Sequence, residues 1–140
     1  MSNAEKNKQT VREFTRIFKN EHNVNGIGHL FAPDFKHNFR IPLSSGLKGL
    51  QEVGIVMNTA FPDVVVTEND MIADERTVVE RSSAVATNAG PYLKYPATNK
   101  KITWTEIHIY RLNDAGKIVE HWAEIAFLEL MIQIGAAKML

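Results

Sequence analysis

The chain has no cysteine. That one absence excludes a disulfide framework, a thiolate-ligated zinc site and a catalytic thiol. It also has no excess charge, with sixteen Lys and Arg against sixteen Asp and Glu and five His held apart. Nucleic acids and anionic membranes usually select a basic excess, so neither is expected as a partner. Long apolar runs are missing as well. The most apolar stretch, residues 125–134, is interrupted by Glu129 and Gln133 and is too short to span a bilayer. The polar start lacks a secretory apolar segment, and no Asn-x-Ser/Thr acceptor occurs, so a cytoplasmic home is expected. What remains is 140 residues, 44% hydrophobic and 23% charged, the composition of an ordinary globular protein. The expectation is one domain over residues 5–140, with residues 1–4 set apart as an expression scar or disordered start.

Periodicity divides the chain into helices first and strands afterwards. Val11, Phe14, Ile17 and Phe18 recur at helical spacing, which predicts an amphipathic helix over residues 5–20. A short turn is expected at residues 28–32, halted by Pro33. Phe35, His37, Phe39 and Ile41 share one parity in a predicted strand over residues 34–41. Leu47, Leu50, Val53, Met57, Ala60 and Phe61 lay out a second amphipathic helix. Strands are then predicted over residues 64–73, 77–89, 102–112 and 117–125, with a last short helix over residues 127–134. The order predicts an α+β fold with a meander of antiparallel strands.

The predicted hairpin of residues 102–125 holds the densest chemistry. A turn at Asn113–Gly116 would set His108 opposite His121, Glu106 opposite Ala123 and Trp104 opposite Ile125. Opposed residues share a face, so Trp104, Glu106, His108, Tyr110, His121 and Ala123 should lie together. Thr103, Thr105, Ile107, Ile109, Trp122 and Glu124 should lie on the other face. A one-residue slip would exchange those faces. Imidazoles beside a carboxylate can carry acid–base chemistry near neutral pH. The alternative is a half-exposed strand face with Glu106 paired to a surface Lys. His37, on the Phe35/Phe39 face, reads either as a core histidine or as a site residue.

Other motifs are weaker. The five histidines form no His-x-x-x-His pair and no His-Glu-x-x-His helix, so no metal centre is expected. Gly26-Ile27-Gly28 lacks the remainder of a dinucleotide fingerprint, and Gly46-Leu47-Lys48-Gly49 is not a Walker loop. Both read as backbone punctuation.

Several segments together resemble the SnoaL-like polyketide cyclase (ester cyclase) family. These are Gly46-Leu47-Lys48-Gly49-Leu50, Ala60-Phe61-Pro62-Asp63, Trp104 with Ile107, Ile109, Tyr110 and Arg111, Gly116 through Trp122, and the closing Leu128 to Gly135. The resemblance implies a nuclear-transport-factor-2-like cone, a curved antiparallel sheet packed around N-terminal helices with an internal pocket. It implies homodimers formed through the outer sheet face. It also implies cofactor-free and metal-free aldol ring closure on a small hydrophobic carbonyl compound. In the family an acid–base Asp follows the Trp of a His-Trp-Asp stretch, and a His lies on the neighbouring strand. His108 matches that strand His, but the Asp position is Ala123 here. Glu106, placed opposite Ala123, is expected to supply the missing carboxylate.

The expected catalytic set is His108, Glu106 and His121. The expected substrate contacts are His37, Phe39, Trp104, Tyr110 and the space at Ala123. A ketosteroid-isomerase-like site would want a Tyr donor from the first helix, where this chain has Phe14 and Phe18. The rival reading is a ligand-binding module that kept the cone and lost its chemistry at Ala123. A third is a structural domain with a hydrated polar face.

Overall fold

In the computed structural model, which describes residues 1–140, helices lie against the inner face of one curved five-stranded sheet. The first helix, α1 (Asn3–Phe14), starts at Ser2, whose hydroxyl accepts a hydrogen bond from the Glu5 backbone at 3.2 Å. Asn3 and Ala4, set apart from the sequence alone, therefore form its first turn. The chain continues as a π-helical segment, Thr15–Asn20, closed by Glu21 N–H donating to the Arg16 carbonyl at 2.8 Å. Val11, Phe14, Ile17 and Phe18 are all buried, as their spacing predicts.

A single 3-10 turn, Gly28–Leu30, leads into β1 (Phe31–Asn38). The strand begins three residues before its predicted start, because Pro33 is tolerated on an edge strand where no ladder donor is needed. Next come α2 (Gly46–Ala60), β2 (Val65–Ala73), β3 (Thr77–Thr87), β4 (Lys101–Leu112), β5 (Ile118–Ile125) and α3 (Phe127–Gln133). Gly54 lets α2 lie directly on the π segment, since a Cβ there would come within 2.5 Å of the Phe18 ring. No helix is long and apolar enough to cross a membrane.

The strand order is β1-β5-β4-β3-β2. Four strands form the expected antiparallel meander, but β1 joins β5 in parallel, so the sheet is mixed. The long excursion through α2 and the meander returns β5 alongside β1 in the same direction.

The β4–β5 register also departs from expectation. Glu106 pairs with Ile125, His108 with Ala123, and Tyr110 with His121. Asn113 Oδ1 accepts from the Ala115 and Lys117 backbones, which draws Lys117 into the loop, and a register shift after Arg111 leaves Val119 unpaired. Together these move the pairing by two residues. An even shift preserves the faces, so the predicted inner set still points inward while its partners change.

Across the sheet, inward side chains form rows. Val78, Tyr110, His121 and His37 make one, and Ala84 and Trp104 another. Val78 and Tyr110 of the first row belong to an apolar cluster with Phe14, Phe31 and Phe35, and the second row belongs to one with Phe61 and Leu130. Between them run Glu80–His108–Ala123 and Ser82–Glu106–Ile125. A polar band thus crosses the core between two apolar ends.

Candidate active site

The polar band is placed by strand alternation. In β4 every second residue is buried, so Glu106 and His108 are 6% and 3% exposed while Ile107 between them is 46% exposed. Glu106 is the hub. Its Oε2 accepts from Trp104 Nε1 at 2.7 Å, and its Oε1 lies 2.6 Å from His108 Nε2 and 3.3 Å from Lys19 Nζ. Burial alone would raise the Glu106 pKa, but Lys19, then His108 and Trp104, outweigh it and hold the carboxyl below its ordinary range.

An ionised carboxylate 2.6 Å from an imidazole nitrogen requires a proton between them, which assigns the N–H of His108 to Nε2. His108 Nδ1 is then an acceptor, and His121 Nε2 donates to it at 2.9 Å. The lone pair of the pair falls on His121 Nδ1, a buried atom with no hydrogen-bond partner. Glu106, His108 and His121 therefore form a directed relay ending in a free base. Burial, then neighbouring His108, His37 and Lys19, push His121 well below the usual histidine range and keep it neutral. Burial and Lys19 lower His108 too, against the opposing pull of Glu106.

His37 stacks on His121 with ring centroids 5.4 Å apart and planes 6° from parallel. Its Nε2 has no partner either, and burial, then His108, lower its pKa to about 4. No group of three or more His, Asp or Glu side chains converges as a metal-ligand set.

An apolar cavity opens over the relay, with about 70 Å³ of space for the centres of water molecules. Glu106, His108, His121, His37, Phe39, Trp104 and Ala123 all line it. Phe14 and Phe18 close one side, and Leu50, Val53 and Met57 of α2 cover the top. Phe39, Ala123 and Ile125 also border a wider outer groove of about 480 Å³.

Two expectations need correction. Tyr110 does not line the cavity: one pairing step further along the sheet, it is fully buried behind His121, with ring centroids 4.7 Å apart. Burial, then Glu80 and Glu106, raise its hydroxyl well above the usual range. Glu106 does not face Ala123 across the strands, because the two-residue shift gives that place to His108.

Lys19 was not singled out from the sequence. Helical spacing puts it beside the buried stripe, on the flank that usually meets solvent. The π turn widens the helix there, and Asn20 clamps it to β2 by accepting from Val66 N–H at 2.7 Å and donating to Val66 O at 3.1 Å. Glu80 and Ser82 were likewise missed. They neighbour His108 and Glu106 on β3, and Glu80 Oε1 and Ser82 Oγ are buried without partners. Burial alternates along β3, but like residues stand in pairs there, Val78-Val79, Glu80-Arg81 and Ser82-Ser83, so the sequence does not show which of each pair turns inward.

The SnoaL-like polyketide cyclase model matches residues 9–134. Among solved structures, AclR, a candidate hydroxylase from Streptomyces galilaeus, superposes with a TM-score of 0.86 at 24% identity, covering 98% of this chain and 89% of that one. TsrD from Streptomyces laurentii gives 0.84 at 23%, with 95% and 97% coverage. A candidate polyketide cyclase from Acidithiobacillus ferrooxidans gives 0.82 at 24%, with 99% and 100% coverage. No curated protein sequence matches with significance. At such identities the structural likeness speaks for the fold, a nuclear-transport-factor-2-like α+β cone.

Proposed function

Since the chain belongs to the SnoaL-like polyketide cyclase family, we propose that it carries out cofactor-free acid–base chemistry on a small hydrophobic carbonyl compound, of the aldol cyclase, isomerase, lyase or hydrolase type. One observation carries this reading: a buried Glu106–His108–His121 relay ends in an unpartnered base beside an apolar cavity. Neutral His121 takes the α-proton of the substrate at Nδ1 and passes its Nε2 proton to His108 Nδ1. The resulting His108 imidazolium is held by ionised Glu106. In a ring closure the carbanion attacks a second carbonyl of the same molecule, and the alkoxide recovers the proton from the relay. Glu106 serves through His108, and not by standing in the place of the family Asp. Phe39, Trp104 and His37 frame the bound carbonyl compound.

Deuterium exchange at the α-carbon of a panel of aromatic ketones and esters, followed by NMR, tests the relay. The wild type should accelerate exchange, and Glu106→Gln, which keeps shape but not charge, should lower the rate by about 10²–10⁴-fold. Undiminished exchange in that variant would sink the assignment.

Ala123 favours a second reading, a binding module without turnover, because it removes the carboxylate expected of the family. That reading predicts thermal stabilisation by the same ketones without any exchange.

The outer face supports a homodimer as part of the proposal. Ile72, Val79, Ile109 and Trp122 make one row across four strands, with Ile107, 46% exposed, in the next outward row and Val85, 39% exposed, further along the same face. We place the protein in the cytoplasm, where a cysteine-free chain gives up nothing to reducing conditions.

A further inference from the structure

Lys19 is a cation in an apolar place. Its side chain is 12% exposed, it lines the cavity, and its Nζ lies 6.0 Å from the centroid of the Phe14 ring. An ammonium carries three N–H groups and needs an acceptor for each when desolvated. Glu106 Oε1 accepts one at 3.3 Å, although that oxygen also takes the shorter bond from His108. His108 Nε2 lies 3.0 Å away but already carries the proton shared with Glu106, so it has no lone pair for Lys19. Two N–H groups are thus left without a protein acceptor, on an ammonium that borders the cavity.

We propose that Lys19 is the electrophile of the site, donating to the substrate carbonyl oxygen as that oxygen becomes an enolate. This deepens the carbonyl reading above and rests on it. The placement suits the task, since one imidazole, His108, separates the ammonium from the base His121. When the C–H bond breaks, its proton goes to His121 Nδ1 and its electron pair moves into the enolate, whose negative oxygen faces Lys19. The Lys19 ammonium keeps its own protons throughout. A fixed cation in a water-poor cavity stabilises such charge without reorganising. The substrate class narrows to enolisable ketones and β-dicarbonyl compounds whose enolate oxygen can reach the cavity floor.

A phenol mimics the enolate and needs no turnover. 4-Nitrophenol, whose absorbance separates phenol from phenolate, should bind the wild-type protein as phenolate at a pH below its solution pKa, releasing its proton to buffer. Lys19→Met and Lys19→Gln should weaken phenolate binding about ten- to a hundredfold and leave the bound probe neutral. The chain has no cysteine, so Lys19→Cys can be alkylated at that position alone. Treatment with 2-bromoethylamine restores an ammonium of the original reach and should restore phenolate binding; iodoacetamide should not. Melting of each variant, with and without probe, separates lost binding from lost folding. Failure of the wild type to bind the probe, binding only as neutral phenol, or phenolate binding that survives in folded Lys19 variants would each overturn the assignment. Intact probe ionisation without ketone exchange would instead count against the relay and spare Lys19.

Discussion

The two faces of the β4–β5 hairpin invert the usual order of a half-buried sheet. Inward point Glu106, His108 and His121, all nearly inaccessible, while Ile107 is 46% exposed on the outward side. A fold selected only for stability would exchange them, because burying charge costs several kcal/mol per ion unless partners repay it. The Glu106 charge is tolerated there because both of its oxygens find donors. Trp104, His108 and Lys19 all converge on one carboxylate. The outer face has no such internal repayment, and its apolar rows are left for another surface to cover. On the proposed function, one set of strands holds two unfinished interfaces, one for a small molecule and the other for a second copy.

Breaking the inner face should produce the largest effect. Glu106→Ala removes the acceptor of Trp104 Nε1, the partner of His108 Nε2 and the counter-charge of Lys19. Removing one member of a buried ion pair typically costs about 3–5 kcal/mol. Urea unfolding should show a loss of that order. A loss below about 1 kcal/mol would mean that the inner charges do not act as a unit.

Acid should sharpen the comparison next, through the histidines of the inner face. His37 has a pKa of about 4 in the fold against 6.5 for a free imidazole, and His108 and His121 are lowered in the same direction. The unfolded chain therefore binds more protons than the native one below pH 6.5. Stability is fully present above that value and falls as pH drops toward about 4. Each imidazole contributes a slope of up to about 1.4 kcal/mol per pH unit inside its window. Glu106 acts separately, since its lowered pKa stabilises the fold above its free value of 4.5 and is lost only on further acidification. Chemical unfolding at a series of pH values, with His37→Gln flattening part of the upper window, checks the assignment. A profile flat between pH 6.5 and 4 would contradict the buried neutral histidines.

How much of this was legible in the sequence follows from the physics of each element. Alternation in β4 is strong, and it put Trp104, Glu106 and His108 on one face whatever the exact pairing. The register was not legible, because it depends on an Asn113 side-chain bond and an unpaired Val119 that composition does not announce. The faces survived only because the two deviations sum to an even shift. Tyr110 had the right parity and the wrong depth, since parity says nothing about where along a cone the cavity ends. The parallel β1–β5 pairing joins segments some eighty residues apart, beyond the reach of local periodicity. Lys19 was hidden for a different reason. A π turn breaks the 3.6-residue spacing on which a helical face is read, so its inward direction exists only in three dimensions.

The smallest effect on the fold should come from the outer face, where Ile107→Glu replaces a half-exposed side chain whose cross-strand neighbours are Arg81 and Glu124. Within one copy the new carboxylate stays hydrated and lies beside Arg81, so the intrinsic stability should change by no more than about 0.5 kcal/mol. Association should respond far more, because the same carboxylate would be desolvated against an apolar partner surface. Sedimentation should show a concentration-dependent dimer for the wild type and a monomer for the variant. Unfolding must then be compared at a dilution where the wild type has itself dissociated, since association adds stability by mass action. At that dilution equal unfolding midpoints mean that Ile107 serves contacts between copies alone. A large loss persisting in the monomer would make the outer row part of the core, and the inversion of faces would cease to be evidence for a second copy.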